Sequence, residues 1–385
     1  MRRRLSFLDG VAVGLPVLGA LLVLVGLLPV EDVVESLDEV VPLLGFLTGL
    51  MVLAALSARA QVFDAVAARL AVLGRGNYAL LFAASAAFAT VVTIFLNLDT
   101  TAVLLTPVLL ALAARSGISP LPLAMTTLWL SAAASLLLPV SNLTNLLATD
   151  KIHLSATEFA RLMLAPQAAV LAVTLVLLWV MFWRLARRGE RRYEPRPPEP
   201  VADRVTLIAA AVACLLFAAA IVAGTEAWLA ALAAAAIVVA VFLVRDRSAL
   251  SWSLIPWRLL GLVTGLTLIV PALAAYGLAD LMAALVGDDR ARTAATGLVL
   301  ANAVNGLPAY LAVQLAVPVG RPEQLAVLLA AVNAGAVITP WASTTTLLWL
   351  ESCRRYGVSV PLGRFMASGL VLAVAVTVAV ILVTG

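Results

Sequence analysis

Four short polar clusters interrupt an otherwise apolar chain, and their residue types suit hydrogen bonding to a small, oxygen-rich solute. The first is Asn97-Leu98-Asp99-Thr100-Thr101, and the second is Ser141-Asn142-Leu143-Thr144-Asn145. The third runs from Asn302 through Asn305 and Gly306 to Pro308, and the fourth holds Thr339, Ser343, Thr344, Thr345 and Thr346. Their hydroxyls and amides can both donate and accept. Pro139 and Pro340, 201 positions apart, open PVSNLTNLL and PWASTTTLL, in which Thr144, Leu146 and Leu147 fall at the same places as Thr345, Leu347 and Leu348. Asp99 is the only ionisable residue in the four clusters. A carboxylate placed within a membrane is by default functional, and carrying a proton or a cation is its natural role. The plainer alternative is that Asp99 only caps the helix that follows.

The elements that must position these clusters are membrane helices. The 385 residues are 63% hydrophobic and 12% charged, about half the charged fraction of a soluble domain, with a mean hydropathy of +1.09. Apolar runs of about 20 residues recur along the whole length, which predicts an all-α polytopic membrane protein. No alternating pattern of a transmembrane barrel is present. The net charge of +4 lies in arginines between apolar runs, which fits membrane topology and excludes a nucleic-acid surface.

Arginines set the expected orientation. Arg2, Arg3 and Arg4 place the N-terminus in the cytoplasm, and span one (about 11–30) is a retained helix, too long for a cleaved signal. Span two (about 40–58) returns to Arg59. Val62, Phe63, Val66, Leu70 and Leu73 then share one face of an expected interfacial helix. The run from Tyr78 to Leu112 begins after Arg75 and ends at Arg115, so it is expected to enter and leave on one side with its tip near 97–101. A span broken near 139–146 follows. SATE (Ser155–Glu158) has capping-box spacing for a short surface helix, and a closing span is expected over about 167–183, with Trp179 and Trp183 as interfacial anchors.

The basic, proline-rich stretch 186–203 reads as a cytoplasmic linker between a first half, 1–185, and a second, 204–385. Three spans (about 205–223, 226–244 and 259–276) precede a second hairpin with its tip near 302–308, a span broken near 339–346 and a last span (about 365–384). Each half thus carries hairpin, broken helix and closing span with opposite orientation. An inverted-topology repeat of this form is the usual scaffold of secondary transporters. Breaking a helix frees backbone groups that cost several kcal/mol each in hydrocarbon, so such breaks survive only against protein or a wet cavity. The half-helix N-terminus made by a break favours an oxyanion.

No phosphate loop, His or Cys cluster, or nucleophile–base pair is evident, so neither an enzyme nor a metal or other cofactor site is expected. Cys214 and Cys353 stand far apart, His153 is a lone loop residue, and Glu226, Asp280 and Glu351 fall near span ends, where they read as solvated.

At these clusters the chain resembles the bacterial arsenite efflux permease family, within the ion transporter superfamily that also holds divalent-anion/sodium symporters. The resemblance rests on NLDTTAVLLTP (97–107), PVSNLTNLLATD (139–150), NGLP (305–308) and ITPWASTTTLLWL (338–350). It implies a scaffold bundle and a transport bundle, with two re-entrant hairpin tips and two broken helices enclosing a substrate. It also implies efflux of an arsenite- or antimonite-type oxyanion or hydroxide from a bacterial inner membrane, driven by protons or the membrane potential or aided by a soluble ATPase subunit. Substrate contact is expected from Asn97, Thr100, Ser141, Asn142, Thr144, Asn145, Asn305, Gly306, Thr339, Ser343, Thr344 and Thr345. Ion or proton coupling is expected from Asp99 and from Asn333, which stands where the family commonly has an acidic residue. The family's first tip usually reads Asn-Asp and its second carries paired Asn, whereas Leu98 precedes Asp99 here and Gly306 follows Asn305. A cation-coupled carrier of another small anion, with sodium as an alternative ion, a sodium/proton antiporter, and a passive channel or membrane scaffold are the competing expectations; an oligomer is compatible with all of them.

Overall fold

A computed structural model describes residues 7–25, 30–184, 193 and 201–385, giving backbone alone for 7–12 and 30–39. Arg2, Arg3, Arg4 and most of the 186–203 linker lie outside the described residues, as do the side chains of the acidic stretch 31–39. Among the described residues every regular element is a helix. In sequence order these are α1 (Phe7–Leu24), α2 (Val30–Arg59), α3 (Val62–Leu73), α4 (Tyr78–Leu96), a π-turn (Thr100–Leu105) leading into α5 (Thr106–Ser116), α6 (Pro120–Ala133), α7 (Leu143–Lys151) and α8 (Ala156–Leu178). Beyond the linker come α9 (Arg204–Val222), α10 (Ala227–Arg245), α11 (Trp257–Leu273), α12 (Ala279–Val286), α13 (Arg290–Val304), α14 (Gly306–Val313), α15 (Pro322–Gly335), α16 (Thr344–Arg355) and α17 (Leu362–Thr384). Among the described residues seven helices are long and apolar enough to cross a membrane, while Thr100–Ser116 and Gly306–Ala316 are apolar but short. The protein is an all-α polytopic membrane protein.

Small residues decide how the helices meet, because lipid gives apolar side chains no reason to prefer each other. A Cβ on Gly49 of α2 would sit 2.7 Å from the Ala231 carbonyl carbon of α10, and one on Gly265 of α11 would sit 2.6 Å from the Leu15 backbone of α1. These close approaches bind α1 to α11 and α2 to α10. A second group packs α4, α5, α6 and α8 with α13, α15 and α17, and all four polar clusters belong to it.

Several local expectations change. The capping box at Ser155 forms, with Glu158 N donating to Ser155 Oγ at 3.3 Å and Ser155 N to Glu158 Oε2 at 2.9 Å. The helix it starts does not stop for a separate span at 167. It runs through buried Pro166 to Leu178 and continues as a π-turn to Trp183, since apolar sequence on both sides favours one packed helix. Trp183 is no interfacial anchor: it is fully buried, donates from Nε1 to Thr126 Oγ1 at 2.9 Å, and lies 5.2 Å from the Phe82 ring. The face of α3 buried against protein is Phe63, Ala67 and Ala71, because the alanines permit closer approach than Val66 or Leu70, and Leu73 is exposed. The third span of the second half kinks at Gly277, whose φ of +99° suits glycine, and resumes as α12. Glu226 and Asp280 are exposed, and Glu351 pairs with Arg354 and Arg355 at 2.5 and 3.1 Å.

Among the described residues of the linker, Ala202 N donates to Gln61 Oε1 at 2.9 Å, and Tyr193 is held on the first half by three contacts. Tyr193 donates its hydroxyl to Ala71 O at 2.6 Å, its N–H to Gly76 O at 3.3 Å, and stands edge-on to Tyr78 at 5.4 Å. Gly74 leaves room for it, since a Cβ there would lie 2.2 Å from the hydroxyl.

Candidate functional site

Two helix pairs and two broken helices bring the polar clusters together, and their backbones repeat. Asn97 ends α4 with φ 75° and ψ 170°, and Asn305 ends α13 with φ 96° and ψ 154°. This region belongs almost only to glycine and costs a side chain about 1–3 kcal/mol, so strain is held at both turns. Each broken helix passes through one 3-10 turn opened by proline, Pro139–Ser141 and Pro340–Ala342. Proline suits that position because it has no N–H to satisfy. Leu138 and Thr339 before the turns have φ/ψ of −116°/151° and −112°/149°. Asn142 and Ser343 after them have −155°/142° and −148°/137°.

Side chains then satisfy the freed backbone. Asn142 caps α7, its Oδ1 accepting from Thr144 N at 3.2 Å, and Ser343 caps α16, its Oγ accepting from Thr345 N at 3.1 Å. Asn145 donates to Ser135 O at 2.6 Å and Leu138 O at 3.0 Å, and in the other half Thr346 donates to Ala336 O at 3.0 Å. Gln167 of α8 completes the first break, with Nε2 donating to Ala133 O at 2.8 Å and Oε1 accepting from Leu136 N at 2.9 Å.

Other bonds cross between clusters. Thr345 donates its hydroxyl to Asp99 Oδ1, joining the start of α16 to the turn after α4. Asp99 does not cap the helix beyond it; Asn97 does, Oδ1 accepting from Thr100 N at 3.0 Å. Ser141 donates to Ile94 O at 2.8 Å. Asn142 Nδ2 donates to Asn333 Oδ1 at 2.7 Å, and Asn333 Nδ2 donates to Ser135 Oγ at 3.4 Å. Asn333 therefore spends its amide on the first break. Thr339 donates to Asn302 Oδ1 at 2.9 Å. Lys151, at the end of α7, donates to the Gln314 carbonyl beyond α14. Asn305 and Gly306 enter none of these side-chain bonds, and Thr344 is half-buried without one.

Three buried polar atoms at the first turn and first break keep unused hydrogen-bonding capacity: Thr100 Oγ1, Thr144 Oγ1 and Asn145 Oδ1. The sequence expectations missed Ser135, Gln167 and the role of Asn302. Gln167 was the detectable one, a single amide in the apolar run APQAAVLAV. Among the described residues no three His, Cys, Asp or Glu side chains gather as a metal site.

The chain is 26% identical over 314 residues to the arsenical pump membrane protein of Escherichia coli, covering 74% of this chain and 72% of that protein. It is 26% identical over 308 residues to the arsenical pump membrane protein of Yersinia enterocolitica, with the same coverage. Its fold is similar to the crystal structure of the Alcanivorax borkumensis YdaH transporter, which was described as having an unusual topology; the TM-score is 0.58 at 16% identity, over 91% of this chain and 86% of that one. Residues 7–331 match the CitMHS family, described as citrate transporter. The protein is thus a membrane transporter and belongs to the citrate transporter family.

Proposed function

We infer that this transporter is a secondary active exporter of an arsenite- or antimonite-type oxyanion or hydroxide, coupled to protons or the membrane potential. One observation carries the reading. The only carboxylate of the four clusters accepts a hydroxyl from the broken helix of the other half, Asp99 from Thr345. A charge-assisted hydrogen bond of this kind weakens when the carboxylate takes up a proton. Protonation would therefore loosen the contact between the first turn and the second break, which is the coupling a carrier requires. The clusters present hydroxyls and amides with no arginine, which suits a small solute with several O–H groups better than a dicarboxylate or tricarboxylate. The names of the curated relatives point the same way.

In this reading, 1–185 and 204–385 are inverted halves, α4/α5 and α13/α14 are re-entrant hairpins, and the site lies at mid-membrane. Its walls are Asn97, Thr100, Ser141, Asn142, Thr144 and Asn145 on one side and Asn305, Gly306, Thr339, Ser343, Thr344 and Thr345 on the other. The protein sits in a bacterial inner membrane with its N-terminus in the cytoplasm. The second reading, a cation-coupled carrier of another small anion, is favoured by the family's description. Uptake of arsenite, and separately of citrate, into everted vesicles with and without a proton gradient tests both. Wild type should accumulate arsenite above empty vesicles, and Asp99→Asn should lose the gradient-driven part. Accumulation of citrate alone would replace the first reading with the second, and full gradient-driven transport by Asp99→Asn would remove the coupling role of Asp99.

A further inference from the structure

The two breaks are anchored differently. The first is held by Gln167, from the long helix that follows it. At the matching place in the second half stands Ser368, 201 positions on, and it spends its hydroxyl on Phe365 O of its own helix at 2.9 Å. The second break is held instead by Asn302, one turn before the strained Asn305.

Asn302 grips both rims of that break. Its Nδ2 donates to Leu298 O at 2.9 Å and to Gly335 O at 3.2 Å, the carbonyl where α15 ends. Its Oδ1 accepts from Thr339 at 2.9 Å, just before the 3-10 turn, and its backbone carbonyl accepts from Trp341 Nε1 at 3.0 Å, within the turn. Gly335 permits the approach: a Cβ there would lie 3.2 Å from Ala301 Cβ and 3.4 Å from Asn302 Nδ2. Trp341 is 58% exposed between buried Pro340 and Ala342, so its indole N–H is its fastening. In the first half the matching carbonyl is that of Ile94, which accepts from Ser141 at 2.8 Å, and the side chain at that position is apolar.

The geometry points to Asn302 as a positioning residue that joins α13 and the second break into one unit and so fixes where Ser343, Thr344 and Thr345 present their hydroxyls. Asn302 acts through them and need not touch substrate. The turn after α4 is tied differently: Thr345 of the other break donates to Asp99, and Ser141 of its own break donates to Ile94. This assignment rests on the four clusters being the transport site.

The experiment compares Asn302→Leu, Thr339→Val and Thr339→Ser. Thr339→Val keeps the shape and strands Asn302 Oδ1, whereas Thr339→Ser keeps the hydroxyl. Two readouts are taken on protein shown by size exclusion to be folded. The first is the labelling rate by a small membrane-permeant maleimide at Thr344→Cys, in a chain with Cys214 and Cys353 replaced by Ala. The second is arsenite KM and maximal rate in everted vesicles. Breaking this half-buried bond is expected to change the labelling rate roughly fivefold in Asn302→Leu and Thr339→Val, with Thr339→Ser within about twofold of the parent. KM should rise in Asn302→Leu at constant amount of folded protein, while the Thr339 variants, changed in a wall of the site itself, are read by labelling alone. A labelling rate unchanged in all three, or a loss of maximal rate that only tracks folded amount, overturns the assignment. Wild type that moves no arsenite overturns the proposed substrate and leaves the labelling result to decide Asn302.

Discussion

Replacing Gln167 by Leu removes both bonds that α8 sends to the first break while keeping a buried side chain of similar volume. Gln167 is 3% exposed, so water does not replace what is lost. The Ala133 carbonyl and the Leu136 N–H, now bonded at 2.8 and 2.9 Å, both lose their partner. Side-chain hydrogen bonds in membrane proteins average only about 0.6 kcal/mol each, because the unfolded chain in lipid also finds partners. Two of them would then give roughly 1 kcal/mol. Orphaning a buried backbone group costs about 1–3 kcal/mol, giving about 2–6 kcal/mol for the pair. The second magnitude governs here, because Ala133 and Leu136 flank the break and have no intact helix turn to fall back on. The assay is thermal unfolding of detergent-purified protein followed by size exclusion. Leu should lower the midpoint, and Ser368→Ala, at the matching place of the second half, should leave it unchanged. A Leu variant that unfolds at the wild-type temperature, or a Ser368→Ala variant that falls as far as Leu, refutes the reasoning.

Three other outcomes follow from the geometry. Gly369→Ala would place a Cβ 2.2 Å from Val337 O and 3.0 Å from Ile338 Cα, and backbone cannot swing aside as a side chain can. α17 should be pushed off the second break, at about 1–3 kcal/mol, read as a lower unfolding midpoint. Asn305→Gly relieves a φ of 96° without losing a cap, so it should raise the midpoint, whereas Asn97→Gly also loses the bond to Thr100 N and should gain less or nothing. Equal gains at both sites would contradict the capping role of Asn97. At the cytoplasm-facing end expected for α9, the Arg245 guanidinium holds the Asp203 carboxyl well below the usual carboxylate range. A lowered pKa gives stability that is present above the unfolded value of about 3.9 and is lost as pH falls through the folded one. Asp203→Asn, which keeps the cap on Val205 N, should therefore unfold below wild type at neutral pH, with the difference closing in acid. A difference that persists unchanged to pH 2, below that unfolded value of about 3.9, would show that charge pairing is not its source.

The helical membrane class and the breaks at Pro139 and Pro340 were legible in the sequence, because apolar length and a proline beside polar residues act locally. The meeting of Asp99 with Thr345 was not, since nothing in either stretch encodes a partner 246 positions away. Gln167 looked like the edge of a span because periodicity cannot tell an amide that faces lipid headgroups from one that faces a broken helix. Trp183 misled for the same reason: a tryptophan beside an arginine marks an interface only when its N–H has no buried acceptor, and Thr126 supplies one. The repeated strain at Asn97 and Asn305 was invisible, since asparagine alone does not announce a positive φ.

Tyr193 divides the sequence that connects the two halves of the chain into two stretches. With its ring held beside Tyr78, nine residues separate it from Arg184 to Arg192 on one side, and ten from Glu194 to Asp203 on the other. A chain segment reaches at most about 3.5 Å per residue, so the Tyr193 socket by itself limits the start of α9 to roughly 40 Å, and the bond from Ala202 N to Gln61 holds it closer. Lengthening the linker before Tyr193 and lengthening it after are therefore different operations: the first leaves the reach from socket to α9 unchanged, and only the second extends it.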